Sequence, residues 1–299
     1  MSLKKLFALV LIVCMLFCSC NNNDNTVSVE PPYPVKVGEI TLIEKPDRVV
    51  SLSPWITKML ISLDLGKTLV GVSDYCVHAT AQKMGIAENP DIEKIVTSNP
   101  DFVLVSQPLS EQGREYLSKN NIPYYTLETP KTFNEMTAMF SDLVTLFEGK
   151  TDGLKRGQAV SEYLISRANA IKEVVNEQDI KSYLYVQPDG FYLTGDTFLS
   201  DVFKTIGLKN VAQDFSNYII DEDELKKLKP DVIFIDKSVD EEEFLETSPF
   251  NKMTDNVYKL NMSKLGSTAE ILDFLIDFIG GEEALPTSSV ETSSDISSQ

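Results

Sequence analysis

Short apolar runs alternate with longer amphipathic stretches from about residue 48 to residue 279, which is the pattern of strands and helices that follow each other in turn. In the first half we predict strands at 48–52, 68–71, 102–105 and 124–127, and helices at 54–65, 91–98, 110–120 and 133–147. A single long helix is predicted over 152–176, where apolar residues recur at helical spacing. The alternation then restarts, with strands at 182–186, 191–193, 232–235 and 257–260 and helices at 198–206, 222–228, 241–246 and 268–279. The pattern therefore predicts two α/β lobes joined by one long helix.

Two segments repeat the same pattern at a shift of 130 residues. Residues 91–106 (DIEKIVTSNPDFVLVS) and 221–236 (DEDELKKLKPDVIFID) align without gaps. Each begins with acidic residues, continues as a helix and passes through a Pro-Asp pair into an apolar strand, because proline disfavours helix before it. Asp101 and Asp231 thus stand at the entrance of equivalent strands. The repeat indicates two related lobes, although two similar α/β units arising by chance remain an alternative.

The N-terminal residues have a different pattern from the rest of the chain. Lys4 and Lys5 precede an unbroken apolar run over 6–17, which is shorter than the roughly 20 residues needed to span a bilayer. Such a segment is typical of an export signal. Its end, Ser19-Cys20 followed by a polar stretch, resembles a bacterial lipoprotein signal, which implies cleavage after residue 19 and a lipid on Cys20. An ordinary secretory signal with incidental cysteines is the alternative.

These features divide the chain into six predicted parts. They are a signal peptide over 1–19, a flexible tether over 20–35, an N-terminal lobe over 36–150, a linking helix over 151–177, a C-terminal lobe over 178–279 and a disordered Ser- and Glu-rich tail over 280–299.

Composition narrows the function. The 45 acidic residues against 27 basic ones give a net charge of −18, which argues against nucleic acid as a partner. A single histidine, His78, is too few for a histidine-rich metal site. The 66–68 triplet Gly-Lys-Thr lacks the glycine that a phosphate-binding loop needs at position 61, which is Ile61. No spacing singles out an acid–base pair, and Cys76 is interpreted as a packing residue. We therefore expect no enzyme activity and no intrinsic cofactor or metal.

Four segments together resemble the ABC-transporter binding proteins for vitamin B12, ferric siderophores and haem. They are RVVSLSPWITKMLISLDLGKTLVGVSDYC, NPDIEKIVTSNPDFVLVS, YLTGDTFLSDVFKTIGLKNVA and ELKKLKPDVIFID, and the resemblance covers roughly residues 36–279. It implies two Rossmann-like lobes joined by a single long rigid helix, with a ligand cleft between the lobes. It also implies that any metal arrives inside an organic complex, either a cobalt corrinoid or a ferric complex. The chain departs from the family at Lys58, where relatives often have an acidic residue, and at 268–269, where they often have Pro-Arg.

The ligand is expected at the carboxyl ends of the strands, where α/β sheets bind ligands. The loops there are aromatic and carry few charges; the expected contacts are Trp55, Tyr75, Phe191, Tyr192, Phe198, Tyr218 and Lys237. Any of these aromatic residues could instead belong to the core. None of the four arginines falls on these loops, and bidentate arginine is what anionic ferric complexes and haem propionates favour. Cobalamin or a related corrinoid is therefore the preferred ligand, with siderophore and haem kept open by Lys237 and Lys264.

The repeat also selects a docking pair. Glu111 lies five residues past the end of its repeat unit, and the residue 130 positions further on is Glu241. The resemblance implies one acidic contact per lobe to an ABC permease, which works with an ATPase. The expected protein is thus a monomeric binding protein of the bacterial cell envelope, extracytoplasmic and held at a membrane by lipid. A surface interaction lipoprotein without a transport role is the alternative from another class.

Overall fold

The structure is a computed structural model that describes residues 31–76, 80–260, 275 and 278–281. The predicted signal peptide, Cys20, His78, Lys264 and most of the predicted 268–279 helix and 280–299 tail lie outside the described residues. Within the described ranges, no helix has the length and apolar character needed to cross a membrane.

The N-terminal lobe is built on a five-stranded parallel sheet. The strands of the whole lobe, inside and outside this sheet, are β1 (Val35–Val37), β2 (Ile40–Leu42), β3 (Val49–Ser51), β4 (Leu69–Val72), β5 (Gln82–Lys83), β6 (Gly85–Ile86), β7 (Asn89–Pro90), β8 (Phe102–Val105) and β9 (Tyr124–Thr126). Its helices are α1 (Pro54–Ser62), α2 (Ile92–Thr97), α3 (Glu111–Lys119) and α4 (Phe133–Glu148). The sheet order is β5-β4-β3-β8-β9, while β1-β2 and β6-β7 form small antiparallel pairs.

The C-terminal lobe follows the long helix α5 (Leu154–Glu177). Its elements are β10 (Ser182–Val186), α6 (Phe198–Thr205), β11 (Lys209–Asn210), α7 (Glu222–Leu225), β12 (Val232–Asp236), α8 (Glu241–Glu246) and β13 (Val257–Leu260). The parallel sheet has the order β11-β10-β12-β13. The order β4-β3-β8-β9 in the first lobe is therefore matched strand for strand, which confirms the predicted α/β class and supports the repeat.

A shared core joins the two lobes. Alternate residues of the central strands, such as Phe102 in β8 and Phe234 in β12, pack into one buried cluster with α4 and α5. The other face of each sheet has its own cluster, with Val103 on the first sheet and Ile233 on the second. Both sheets are thus buried on two faces, which explains why their strands are continuous apolar runs. Close packing of α4 on α5 needs Gly157, because a Cβ there would lie 2.7 Å from the Ser141 carbonyl oxygen.

The strand entrances, meaning the residues at the start of β3 and β8 and of β10 and β12, share one pair of backbone bonds in both lobes. The Oδ2 atom of Asp101 accepts hydrogen bonds from the amides of Asp47 and Arg48 at 2.8 and 2.9 Å. The Oδ2 atom of Asp231 accepts from the amides of Lys181 and Ser182 at 3.0 and 2.8 Å. Each carboxylate therefore ties two neighbouring parallel strands together at their start.

Most predicted bounds hold to within one or two residues, but the helix predicted over 54–65 ends at Ser62, and three further differences follow. The predicted 191–193 strand is wrong: the chain turns back on β10, and Tyr192 forms only an isolated antiparallel bridge to Val186. The predicted 222–228 helix ends at Leu225, and the next residues continue in turns with i to i+3 bonds before Pro230. The packed body also begins before residue 36, since the Tyr33 hydroxyl donates to the Leu146 carbonyl at 2.8 Å.

Candidate functional site

The strand exits, meaning the loops that follow the carboxyl ends of the sheet strands, carry most of the predicted ligand residues. In the N-terminal lobe, Trp55 follows β3 and Tyr75 follows the neighbouring β4. In the C-terminal lobe, Phe191 and Tyr192 follow β10 and Lys237 follows β12. The structure thus places these residues just after the carboxyl ends of the strands, where the sequence predicted them.

Trp55 lies at the start of α1 because Pro54 occupies the first helical position after Ser53. Its ring is half-buried against the shared core, and its Nε1 atom is buried with no hydrogen-bond partner among the described residues. A buried donor without a partner is costly, so it calls for an acceptor supplied by water or ligand. Ser73, at the exit of β4, has a hydroxyl oxygen in the same condition.

Tyr75 is presented on a turn that a lysine holds in shape. The Lys83 ammonium donates to the carbonyl oxygens of Cys76 and, at 3.4 Å, of Asp74. The Asp74 carboxylate accepts the Gly85 amide at 3.0 Å. With its neighbours fixed in this way, Tyr75 keeps 65% of its surface exposed. Lys83 was not singled out from the sequence, since its role depends on a contact across the loop.

The exits of β10 and β11 are joined to each other by hydrogen bonds. The Tyr192 amide donates to the Tyr218 carbonyl at 3.0 Å, and the Gly195 amide donates to the Phe215 carbonyl at 3.2 Å. Buried Asn210 reinforces the junction through its Nδ2 donation to the Leu193 carbonyl at 2.8 Å. The structure therefore brings two predicted site residues, Tyr192 and Tyr218, into direct backbone contact.

The predicted aromatic set divides by exposure. Tyr75, Phe191 and Tyr218 are largely exposed, while Trp55, Tyr192 and Phe198 are half-buried. Tyr192 packs on the outer core of the C-terminal lobe, and Phe198 packs on the shared core at the start of α6. Burial raises the pKa of the Tyr192 hydroxyl, so this group stays neutral and is available as a hydrogen-bond donor.

A fully buried tyrosine lies near the carboxyl end of β10 in the same lobe. Tyr185 in β10 is 1% exposed, and its hydroxyl oxygen has no partner among the described residues. Burial raises its pKa, and the nearby negative charge of Asp236 raises it further. The sequence predicts only that Tyr185 lies in the strand at 182–186, and no sequence signal distinguishes an unpaired hydroxyl from a paired one.

The two lobes meet beside the strand exits. The Phe133 amide, at the start of α4, donates to the Asp201 carboxylate in the first turn of α6 at 2.8 Å. Each of these helices begins after a strand has left its sheet, α4 after β9 and α6 after β10. The bond therefore joins the two lobes through helices that both start on the exit side.

Two grooves lie away from the exits. One of about 610 Å³ lies at the strand entrances and is lined by Ile40–Pro46, Ser118, Asn121–Tyr124 and Asp101. The other, of about 510 Å³, lies between the starts of α2 and α3 and is lined by residues that include Asp91, Glu93 and Tyr116. These two grooves are therefore separate from the aromatic side chains at the strand exits, and an open surface groove needs no ligand to explain it.

The predicted docking residues occupy equivalent positions. Glu111 is the first residue of α3 and is exposed, while Glu241 is the first residue of α8 and is half-buried. The preceding residues, Ser110 and Asp240, are 130 apart and both accept the amide three positions on, at 3.1 Å. The shift that was read from the Pro-Asp segments therefore extends to the helix starts.

All four arginines are engaged by the fold. Arg48 donates to the Ser98 and Asn99 carbonyls at the strand entrances, and Arg114 donates to the Leu109 carbonyl. Arg156 pairs with Glu148 and also donates to the Leu63 carbonyl at 3.0 Å. Arg167 is buried in α5, with its guanidinium 5.8 Å from the Tyr163 ring centre. In the described part of the chain, no group of three His, Cys, Asp or Glu side chains is arranged to hold a metal ion.

Comparison with known proteins identifies the family. Residues 49–258 match the Periplasmic binding protein family. The chain is 25% identical over 251 residues to the Bacillus subtilis ABC transporter substrate-binding lipoprotein YvrC, covering 76% of this chain and 79% of that protein. It is 23% identical over 175 residues to the vitamin B12-binding protein of Pectobacterium carotovorum, covering 56% of this chain and 63% of that protein.

A solved structure has the same fold. The periplasmic haem-binding protein HutB of Vibrio cholerae superposes with a TM-score of 0.63 at 15% identity, over 78% of this chain and 97% of that one. This likeness over most of both chains confirms the predicted two-lobed α/β class. The chain therefore belongs to the periplasmic binding protein family, whose members are non-enzymatic solute-binding proteins of ABC transporters.

Proposed function

We propose that this protein is a lipid-anchored, extracytoplasmic substrate-binding protein that delivers cobalamin or a related corrinoid to an ABC importer. The observation that carries the choice of ligand is the chemistry of the strand exits, which present aromatic side chains in both lobes and use none of the four arginines. The relative named a vitamin B12-binding protein supports the same choice.

A corrinoid suits such a surface because it is large, flat-faced and mostly neutral. Aromatic side chains bind it through their faces, and scattered polar groups orient it. The exposed rings of Tyr75 and Tyr218, with the half-buried Trp55 ring, offer the faces. The Trp55 Nε1 atom and the Ser73 hydroxyl, which have no partner among the residues that the structure describes, offer hydrogen bonds that a ligand or its water would complete.

A ferric siderophore or haem is the second candidate. Lys237 is exposed at the exit of β12, where its ammonium can meet an anionic group. Carboxylate-rich ligands are nevertheless best held by bidentate arginine. The arginines here bond to protein groups, which is why this candidate ranks second.

The ligand assignment is tested by a thermal-shift screen of the full chain against cyanocobalamin, cobinamide, haemin and several ferric siderophores. A ligand present at about 100 times its dissociation constant should stabilise the protein by about 2.7 kcal/mol. Cyanocobalamin or cobinamide should give the largest shift. A shift confined to haemin or to a siderophore replaces the corrinoid with that ligand, and no shift with any compound removes the assignment.

Trp55 supplies a direct report on the site, because it is the only tryptophan in the chain. We expect its ring to stack on the bound ligand, so its emission should change on binding. The control is the Trp55→Phe variant, which should bind with lower affinity and show no tryptophan signal. Unchanged emission with a ligand that calorimetry shows to be bound would place Trp55 away from it.

The lipid anchor is proposed on Cys20 from the signal that precedes it, and the relative named a lipoprotein supports it. Cys20→Ser should release the protein from the membrane fraction or leave it unprocessed, while Cys18→Ser should not. Acyl chains hold a protein at a membrane surface without a spanning helix. Normal membrane retention of the Cys20→Ser variant would contradict the anchor.

Glu111 and Glu241 are proposed as the permease contacts, one for each lobe. Exposed charge pairs contribute little singly but orient a partner and speed its encounter. Uptake should fall in Glu111→Ala and in the triple alanine variant at 241–243, with ligand affinity unchanged. Glu115→Ala, an exposed residue one turn further along α3, is the control and should transport normally. Normal uptake in both test variants would remove the assignment.

A further inference from the structure

The turn over residues 216–219 holds two consecutive residues in the left-handed backbone region. The φ angles of Asn217 and Tyr218 are 58° and 62°. This region is unfavourable for residues that carry a Cβ, and two in succession persist only where surrounding groups enforce them. Such positions gather at ligand clamps and other functional sites. Other groups must therefore hold this turn, and its conformation points to a functional role.

The cause is a pair of acceptors that capture the two strained amides. The Asn217 amide donates to the Oδ2 atom of Asp196, and the Tyr218 amide donates to the hydroxyl oxygen of Thr194, each at 3.2 Å. The Thr194 hydroxyl in turn donates to the Oδ1 atom of Asp196 at 2.6 Å. Successive amides in a tight turn form a concave donor pair that attracts anionic groups, and here the Asp196 carboxylate accepts one amide and the Thr194 hydroxyl accepts the other.

Gly195, between the two acceptors, allows the loops to approach. A Cβ at this position would lie 1.9 Å from the backbone oxygen of Gln213, a distance that no side chain can occupy. We call Thr194, Gly195 and Asp196 the brace. The brace, together with the backbone bonds at Tyr192 and Gly195, fixes the exit of β11 against the exit of β10.

The brace leaves large apolar side chains in solvent. Tyr218 is 45% exposed, Ile219 is 60% exposed, and Phe191 on the adjoining loop is 44% exposed. Large apolar side chains that are exposed together commonly mark a surface that contacts a ligand or a partner. Because bonds within the chain hold the turn, the chain forms this surface in advance, and a preformed surface costs less to bind.

We propose that the brace positions Tyr218 and Ile219 beside Phe191 as a preformed apolar contact surface for the ligand. The residues of the brace then determine ligand specificity without touching the ligand themselves. This inference rests on the proposed function. The two bonds to Asp196 also lower the pKa of its carboxyl, with the Thr194 hydroxyl as the largest cause, so the carboxylate is charged when it accepts them.

The ligand arm of the test uses cyanocobalamin, with affinity measured by calorimetry. Asp196→Ala should weaken binding about tenfold, and so should Tyr218→Ala, while the double variant should be no weaker than either single one, because both changes remove the same contact. Asp214→Ala removes the same charge from an exposed position of the neighbouring loop and should leave affinity unchanged. Additive losses in the double variant would overturn the positioning role.

The structural arm does not need a ligand. Hydrogen exchange of the peptide over 214–220 should quicken about tenfold or more in Asp196→Ala and stay unchanged in Asp214→Ala. Unchanged exchange in Asp196→Ala would show that the brace does not hold the turn. Faster exchange with unchanged cyanocobalamin affinity would show that the turn does not contact the ligand. If the wild-type chain binds no compound of the thermal-shift panel, the proposed function fails and the ligand role of the brace falls with it, while exchange still decides whether the brace holds the turn.

Discussion

The strand entrances and the strand exits of the two lobes have diverged to different extents. At the entrances, Asp101 and Asp231 make the same bonds to two backbone amides, 130 residues apart. At the exits, the first lobe passes from β3 directly into α1, whereas the second builds a hydrogen-bonded loop over 187–197 before α6. The entrances therefore keep a structure that both lobes share, whereas the exits, where we propose that the ligand binds, differ between the lobes.

The largest expected effect lies at an exit. Gly195→Ala would force a methyl group onto the Gln213 backbone, so the two exit loops must separate. We expect a loss of about 3 kcal/mol in the free energy of unfolding, at the upper end for overpacking. Urea unfolding followed by circular dichroism measures it.

Gly190→Ala is the matched control for that variant. Gly190 has a φ of 80°, but a Cβ there would meet nothing within 4 Å. The remaining cost is that of holding an alanine in the left-handed backbone region, which is about 1 kcal/mol. Equal losses in the two variants would mean that close approach of the loops is not what Gly195 provides.

The entrances allow a test of equivalence. Asp101→Ala and Asp231→Ala should each lower the free energy of unfolding by about 2 kcal/mol, because each removes hydrogen bonds to a charged acceptor. The loss in Asp231→Ala should be the larger of the two, because Asp231 also accepts a hydrogen bond from the Ser182 hydroxyl at 2.8 Å. Asp179→Ala, whose side chain is fully exposed beside Lys181, should cost almost nothing. A neutral effect at either entrance would break the comparison.

Local signals explain how much of the fold could be predicted. The predicted bounds of β10 and α8 match the structure, because a buried apolar run and a capping residue act over a few positions, and the predicted bounds of β13 match as well. The predicted strand at 191–193 fails for the opposite reason: Phe, Tyr and Leu have strand character, but pairing is decided by where the chain returns.

The candidate site follows the same division. Aromatic residues at strand ends were predictable because carboxyl ends of parallel strands bind ligands. Their exposure was not, since the alternation of apolar residues does not separate Tyr218, which is exposed, from Phe198, which is half-buried. Lys83 and Thr194 were missed because each acts through a hydrogen bond to a residue that is distant in the sequence. The Thr-Gly-Asp run at 194–196 was the available signal, since glycine flanked by polar residues marks a tight turn.

The bond between the lobes is expected to have a smaller effect. Asp201→Ala removes the acceptor of the Phe133 amide and should lower the free energy of unfolding by about 1 kcal/mol, the contribution of one hydrogen bond. Asp201→Asn keeps an oxygen that can accept and should lose less. Unfolding in urea measures both, and an equal loss in the two variants would show that the charge of Asp201, rather than an accepting oxygen, joins the lobes.

The smallest expected effect is a pH dependence at one entrance. Hydrogen bonds from the Ser182 side chain and the neighbouring amides lower the pKa of Asp231. A carboxyl whose pKa is lower in the folded state stabilises it above the unfolded value of about 3.9, and this contribution is lost as the pH falls through the folded value. Wild-type stability should therefore fall more than that of Asp231→Asn between about pH 5 and pH 2. The difference should be at most about 1 kcal/mol, because Asp231 is exposed and water screens its charge. The protonated acid can still accept from both amides, which is why acid should cost less than Asp231→Ala. Parallel pH profiles for the wild type and Asp231→Asn would show that the entrance depends on the shape of the side chain and not on its charge.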